Sequence, residues 1–261
     1  MARGILFFAA LLASAALSSG AAVAAQIADA DRTALVYNLD NDQQWQWNSA
    51  RAPTRYTPCS TFKLPNALIG LESGAISLSR NGAGYDIVRD PLQPWWPDSW
   101  PRSQDLSSAL KNSTVWYFQA LARKIGMPSY ASWLHRFHYG NQNTDGGIDQ
   151  FWLGSSLRIS AIEQIRFLAA LERGQLGVKP EYVSAITDSL VLEQGQDWRM
   201  WGKTGGCLAH DGRWIGWLVG ALRKPGGHYV YAVNVSSENW DVVRGARIDI
   251  ARQALKDAGA L

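Results

Sequence analysis

Three short segments of this chain carry side chains that could do nucleophilic chemistry. Ser60-Thr61-Phe62-Lys63 sets a hydroxyl and an amine one helical turn apart on the same face. Serine is a poor nucleophile until a base takes its proton, and a lysine can be that base only where burial or its neighbours keep it neutral. Phe62 and Leu64 flank Lys63 and make such burial reasonable. Taken alone, the tetrad fits a helix cap beside a solvated lysine equally well. Lys203-Thr204-Gly205-Gly206 precedes a pair of strand-like runs, where an edge strand could offer a cation, a hydroxyl and backbone donors to an anionic substrate. Between the two, Ser113-Thr114-Val115 brings a second hydroxyl to the start of a helix. His135 and His138, three apart and followed by Asp145, read as a surface pair, since no His-Glu-x-x-His or paired-Cys motif accompanies them. No metal is expected.

The elements that must position these groups follow from periodicity. Thr33–Tyr37 and Gln43–Trp47, joined by a polar turn, read as a hairpin. Leu64, Ala67, Leu68 and Leu71 recur at helical spacing from Ser60 to Leu71, with Gly74 just beyond. Asp90 to Pro101, rich in Pro and Trp, is a loop. Helices are expected over Leu106–Leu110, Val115–Ile125 and Tyr130–Phe137, then a polar loop from Tyr139 to Asp149. Ser160 opens a further helix to Leu171, with Glu163 completing a capping box. Val183–Leu192 reads as helix, Trp214–Leu222 and Tyr229–Val235 as a second hairpin, and Val242–Leu255 as a closing amphipathic helix. Strands at both ends and helices between them predict an α+β fold: one antiparallel sheet built from the two termini, flanked by helices, with an inserted mainly helical lobe.

Composition narrows the class of function. Arg3 followed by an apolar run to Leu17 and a small-residue end at Ala22-Val23-Ala24-Ala25 reads as a cleaved export signal over residues 1–25, shorter than the ~20 apolar residues that span a bilayer. The remainder, 26–261, is expected to be one catalytic domain: a sheet lobe from 26–59 and 193–261, and a mainly helical lobe from 60–192. No later segment is apolar enough to span a membrane, which predicts a soluble protein in an oxidising compartment such as a periplasm. A net charge of +3 with scattered Lys and Arg gives no basic stripe for nucleic acid. The sequence sets no oligomeric state. Among 13 tryptophans, Trp95, Trp96 and Trp100 either border the substrate mouth or pack their own loop.

The order of the three segments, Ser-x-x-Lys, then a serine triad, then Lys-Thr-Gly, is shared by β-lactamases and penicillin-binding proteins. Each is common alone, and together they are specific. The chain resembles class D (oxacillinase-type) serine β-lactamases across essentially all of the mature sequence. Tyr139-Gly140-Asn141 matches that class's Tyr-Gly-Asn motif. Phe151-Trp152-Leu153 with Leu157-Arg158-Ile159-Ser160 matches its Ω-loop segment, and Trp214-Ile215-Gly216-Trp217 the strand after Lys-Thr-Gly. Ser113-Thr114-Val115 lacks the asparagine found in the triad of class A enzymes and most penicillin-binding proteins.

The resemblance implies that Ser60 is acylated by β-lactam substrates and that Lys63 is carboxylated by carbon dioxide to N6-carboxylysine, with no other cofactor. Only an unprotonated amine attacks carbon dioxide, and Val115 would help by keeping the pocket apolar. Trp152 would donate its indole N–H to the carbamate. Ser113 would relay a proton toward the β-lactam nitrogen. Lys203 and Thr204, with Gly205 beside them, would face the substrate carboxylate, and the amides of Ser60 and Gly206 would form the oxyanion hole. Arg247 is expected to bind that carboxylate, ahead of Arg244, because Ile250, Ala254 and Leu255 then keep the family's apolar spacing. Cys59 precedes the nucleophile and Cys207 follows Gly206. If the two oxyanion amides face one pocket, these cysteines lie within bonding reach, and a Cys59–Cys207 disulfide is expected, as in some class A carbapenemases and unlike most class D enzymes. Two alternatives share the motifs: a β-lactam sensor domain that stays acylated, and a penicillin-binding DD-peptidase. Sensors of that kind carry transmembrane helices. Turnover separates the three.

Overall fold

The computed structural model describes residues 27–261, and the expected export signal lies outside them. Among the described residues, six strands form one antiparallel sheet in the order β2-β1-β6-β5-β4-β3. These are β1 Arg32–Asn38, β2 Gln44–Trp47, β3 Val191–Gln194, β4 Arg199–Leu208, β5 Trp214–Lys224 and β6 Gly227–Ser237. Because β1 pairs with β6 from Arg32↔Val235 to Asn38↔Tyr229, the two ends of the chain close the sheet together. The helices are α1 Lys63–Glu72, α2 Leu106–Lys111, α3 Val115–Ile125, α4 Met127–Arg136, α5 Ala161–Glu172, α6 Pro180–Asp188 and α7 Trp240–Asp257.

Alternation along the strands decides what each face meets. Ala34, Val36, Leu218, Val233 and Val235 join the core that α7 supplies through Val243, Ala246, Ile250 and Leu255. Leu35, Trp217, Val219, Ala221 and Ala232 turn the other way, into the larger core shared with the helical lobe. The β4–β5 register pairs Lys203 with Val219 and Gly205 with Trp217, while Thr204 pairs with Leu218 and Gly206 with Gly216. Residues directly opposite each other share a face. Lys203 and Gly205 therefore face the helical lobe, and Thr204 and Gly206 face α7.

Four local readings shift. The helix expected over Val183–Leu192 is α6 followed by β3: Pro180 at the start has its φ preset for a first helical turn, and Val191 already pairs with Trp201. The sheet lobe thus begins at Val191, two residues earlier than expected. The helix expected from Tyr130 starts at Met127, because Pro128 sits where a missing N–H costs nothing. Ser60 lies in a 3-10 turn, Cys59–Phe62, that leads into α1. Finally, β4 is an edge only over part of its length. The short β3 pairs with Arg199 to Trp201 and no further, leaving the outer side of the Lys203–Cys207 segment without a strand partner among the described residues.

Candidate active site

The 3-10 turn and α1 bring the first pair together. The Lys63 amine donates to Ser60 Oγ at 2.7 Å. Lys63 is fully buried and Ser60 partly so, with the Phe118 ring 5.7 Å from the amine. No acid pairs with Lys63 among the described residues. Burial, with the positive Lys203 as a smaller contribution, pushes its pKa well below the ordinary lysine value. An amine in that state can accept a proton from the hydroxyl it touches, so the pair has the geometry to act as nucleophile and base.

The second hydroxyl arrives from the turn before α3. Ser113 has φ +56° and the chain at Cys59 has φ +49°. Both are non-glycine residues held in the left-handed region, a strain on the order of 1 kcal/mol or more each, of the kind that concentrates where a side chain is aimed. The Lys203 amine donates to Ser113 Oγ at 2.9 Å and to the Thr204 carbonyl at 3.0 Å. Burial, and then the nearby Arg247, lower its pKa to about 7. A lysine near neutrality on a serine hydroxyl can pass a proton in either direction. Val115, half-buried, packs against the main core at the start of α3.

On the α7 side of β4, Arg247 is buried and its Nη1 donates to the Gly205 carbonyl, while its Nε has no partner among the described residues. Arg244 instead extends into solvent beside Asp241, which leaves Arg247 as the arginine at the strand. A disulfide joins Cys59 to Cys207, with 5.8 Å between their Cα atoms. It ties the residue before Ser60 to the residue after Gly206. The strand also meets the turn directly: a Cβ on Gly205 would lie 2.9 Å from the Pro58 carbonyl, so only glycine lets the two backbones approach this closely.

The segment after Tyr139 packs against the turn that carries Ser60. Trp152 is fully buried, stacked on Phe62 at 5.3 Å and edge-on to Phe151 at 4.9 Å. Its indole N–H is buried without a hydrogen-bond partner among the described residues. Such an orphan in a folded core calls for an acceptor. Asn141 holds the segment by accepting from Arg158 N–H and donating to the Ser156 carbonyl. Sequence reasoning missed the residue that ties this segment to the rest, Thr57. Its hydroxyl donates to the Trp152 carbonyl at 3.1 Å and accepts from Gly154 N–H at 3.0 Å, and its own carbonyl accepts from the Trp217 indole at 2.9 Å. No local signal marks a threonine whose partners lie 95 to 160 residues away.

Ser60, Lys63, Ser113, Lys203, Gly206 and Arg247 are thus linked by direct contacts or adjacent backbone. Trp95 and Trp96 pack against Trp100 at 5.5 and 5.4 Å, and the Trp100 indole donates to the carbonyl of Asn112, next to Ser113. His135 and His138 are exposed, with rings 6.2 Å apart, and no metal-holding group of acids, cysteines and histidines occurs among the described residues. A cavity of about 380 Å³ lies between α5, α6 and the sheet, lined by Glu172, Arg199, Arg223 and His228. None of Ser60, Lys63, Ser113, Lys203 and Arg247 lines it, and its polar side chains pair with each other or with neighbours: His228–Glu172 at 2.7 Å, Arg199–Asp188 at 2.5 Å.

Known proteins place this geometry. The penicillin binding protein transpeptidase domain matches residues 20–258. The probable β-lactamase YbxI of Bacillus subtilis (strain 168) is 38% identical over 225 residues, 86% of this chain and 81% of that protein. The crystal structure of FUS-1 (OXA-85), a class D β-lactamase from Fusobacterium nucleatum subsp. polymorphum, superposes with a TM-score of 0.81 at 32% identity, covering 88% of this chain and 93% of that one. The C-terminal domain of the Bacillus licheniformis BlaR penicillin-receptor superposes equally well, 0.81, at a lower 27% identity over 93% and 95% of the two chains. With a transpeptidase/β-lactamase fold and relatives of this identity over most of its length, the chain belongs to the class D β-lactamases and is a serine β-lactam hydrolase.

Proposed function

We propose that this enzyme opens β-lactam rings through an acyl-serine intermediate on Ser60, with Lys63 carboxylated on Nζ as the general base. The observation that carries the reading is the buried amine 2.7 Å from Ser60 Oγ, held well below its ordinary pKa by desolvation. An amine kept neutral is competent to add carbon dioxide. The anion so formed requires a donor in a dry site, and the orphaned indole N–H of Trp152 fits that need.

In this reading Lys63, carboxylated, takes the proton of Ser60 as the hydroxyl attacks the ring carbonyl. The backbone amides of Ser60 and Gly206 receive the developing negative charge, and Ser113, touched by Lys203, relays the proton held on Lys63 to the ring nitrogen as the amide bond breaks, which leaves the carbamate unprotonated again. Lys203, Thr204 and Arg247 hold the substrate carboxylate, with Gly205 giving the turn its close approach. Lys63 then activates water against the acyl ester and Ser60 is regenerated. Residues 1–25 direct export, and the Cys59–Cys207 bridge suits an oxidising compartment such as a periplasm.

The second reading is a sensor that keeps the acyl group, favoured by the likeness to the BlaR domain. Steady-state assays with nitrocefin, a penicillin and a carbapenem, in carbon-dioxide-free buffer and with added bicarbonate, separate the two. Rapid turnover that bicarbonate raises supports the hydrolase. One acylation per protein without release means a sensor, and turnover indifferent to thorough carbon dioxide removal means that the base is not the carboxylated lysine.

A further inference from the structure

Arg247 is buried two turns into α7 and reaches β4 with a single hydrogen bond among the described residues, to the Gly205 carbonyl. One bond leaves a guanidinium free to swing, since its Nε makes none. What confines it is Trp240. That ring lies 5.3 Å from the Arg247 guanidinium carbon, in cation–π range, and its far edge rests on Gly206, where a Cβ would come within 2.3 Å of Cη2. The Trp214 ring, 5.1 Å away at 44°, backs it. The helix start aims the ring: Asn239 caps α7 by accepting from the N–H groups of Asp241 and Val242, which fixes Trp240 as the first helical residue.

We infer that Trp240 is a positioning residue for substrate recognition: its indole face holds the Arg247 guanidinium beside Gly205 and Gly206 and shields it from water, so that a substrate carboxylate meets a pre-aimed cation. The inference rests on Arg247 as the carboxylate-binding arginine of the proposed function. It adds the ring that sets the arginine's geometry and walls the α7 side of the pocket, beside the strand residue that supplies an oxyanion amide. A cation held against an aromatic face keeps its charge and exposes its N–H edge, which is the edge a carboxylate needs for paired hydrogen bonds.

The test compares W240L, which keeps apolar bulk without a π face, with W240F, which keeps a smaller face. Both are measured in the wild-type and R247A backgrounds, with a penicillin and with its methyl ester, which lacks the anionic carboxylate. Leucine abolishes a desolvated cation–π interaction and so raises the penicillin KM about tenfold, with kcat within about twofold. W240F recovers most of that deficit. In the R247A background W240L adds nothing, and ester hydrolysis, already weak, falls no further. The inference is overturned if KM rises equally for acid and ester, if W240L and R247A add independently, or if W240F is as impaired as W240L. Thermal unfolding of each variant identifies one that has not folded, and W240F then decides alone. Failure of wild-type enzyme to turn over the penicillin at all would instead count against the proposed function.

Discussion

Replacing Trp152 by Phe should uncouple stability from activity. The phenyl ring keeps the stacking position on Phe62 and the edge contact with Phe151 but has no N–H. In protein free of carbon dioxide, the change removes a buried donor without a partner, a relief of about 1–3 kcal/mol. It also removes ring atoms from a fully buried site, a loss of about 1–2 kcal/mol for a partial large-to-small change. The two nearly cancel, so Tm should move by no more than about 4 °C for a domain of this size. With Lys63 carboxylated the balance changes, because the wild-type indole gains a hydrogen bond to an anion, about 1.5–3 kcal/mol. Carbon dioxide should then bind the variant about 10- to 100-fold more weakly. The assay is a titration with ¹³C-bicarbonate, following the carbamate resonance by NMR and nitrocefin turnover in parallel. W152F should need far more bicarbonate for both and should lose the stabilisation that bicarbonate gives the wild type. A variant with wild-type bicarbonate affinity and turnover would refute the reasoning, and so would a drop in Tm of about 10 °C or more in carbon-dioxide-free buffer, which would make the indole a packing element only.

Stability should rise with pH where the two buried lysines lose their unfolded-state advantage. Each has a folded pKa below the 10.5 of the unfolded chain, so between the two values the unfolded chain holds the extra proton and raising the pH stabilises the fold. For Lys203 that window runs from about 7 to 10.5. K63M should therefore be inactive yet more stable than wild type near pH 7, with a flatter dependence of unfolding free energy on pH. Denaturant melts at several pH values check it, and a less stable K63M at neutral pH contradicts a buried neutral amine. Cleaving the Cys59–Cys207 bridge, which closes 148 residues of chain, should cost stability up to the ~5 kcal/mol of the chain-entropy limit. The C59A/C207A variant should also lose kcat more than it raises KM, because the amides beside both cysteines are the proposed oxyanion donors. Alkylation of both thiols in unfolded, unreduced protein would show that no bridge forms.

The site was legible where chemistry and spacing coincide. Ser60 and Lys63 are one turn apart in any helical backbone, and the capping box of Ser160 and Glu163 is present as spaced. The two hairpins and the closing amphipathic helix are likewise where the runs of residue types place them, to within a few residues. What sequence could not carry is contact between distant segments. Thr57 joins the Trp152 segment to β5 through partners far along the chain, and nothing in Tyr56-Thr57-Pro58 announces it. Trp240 lies two residues before the helix expected from Val242, and its place over Arg247 and Gly206 depends on how α7 lies against β4. The α6–β3 boundary failed for a local reason: Val191-Leu192 continues the apolar run of a helix, and only pairing with β4 makes it a strand.

Hydrolysis by this route requires a transient ester at Ser60, and rapid acid quench with peptide mass spectrometry reads it directly. During turnover of oxacillin in bicarbonate buffer, the peptide carrying Ser60 should gain the mass of the intact drug and shed it as the drug is consumed. An adduct that persists after the substrate is gone, or one found on any other residue, would contradict it.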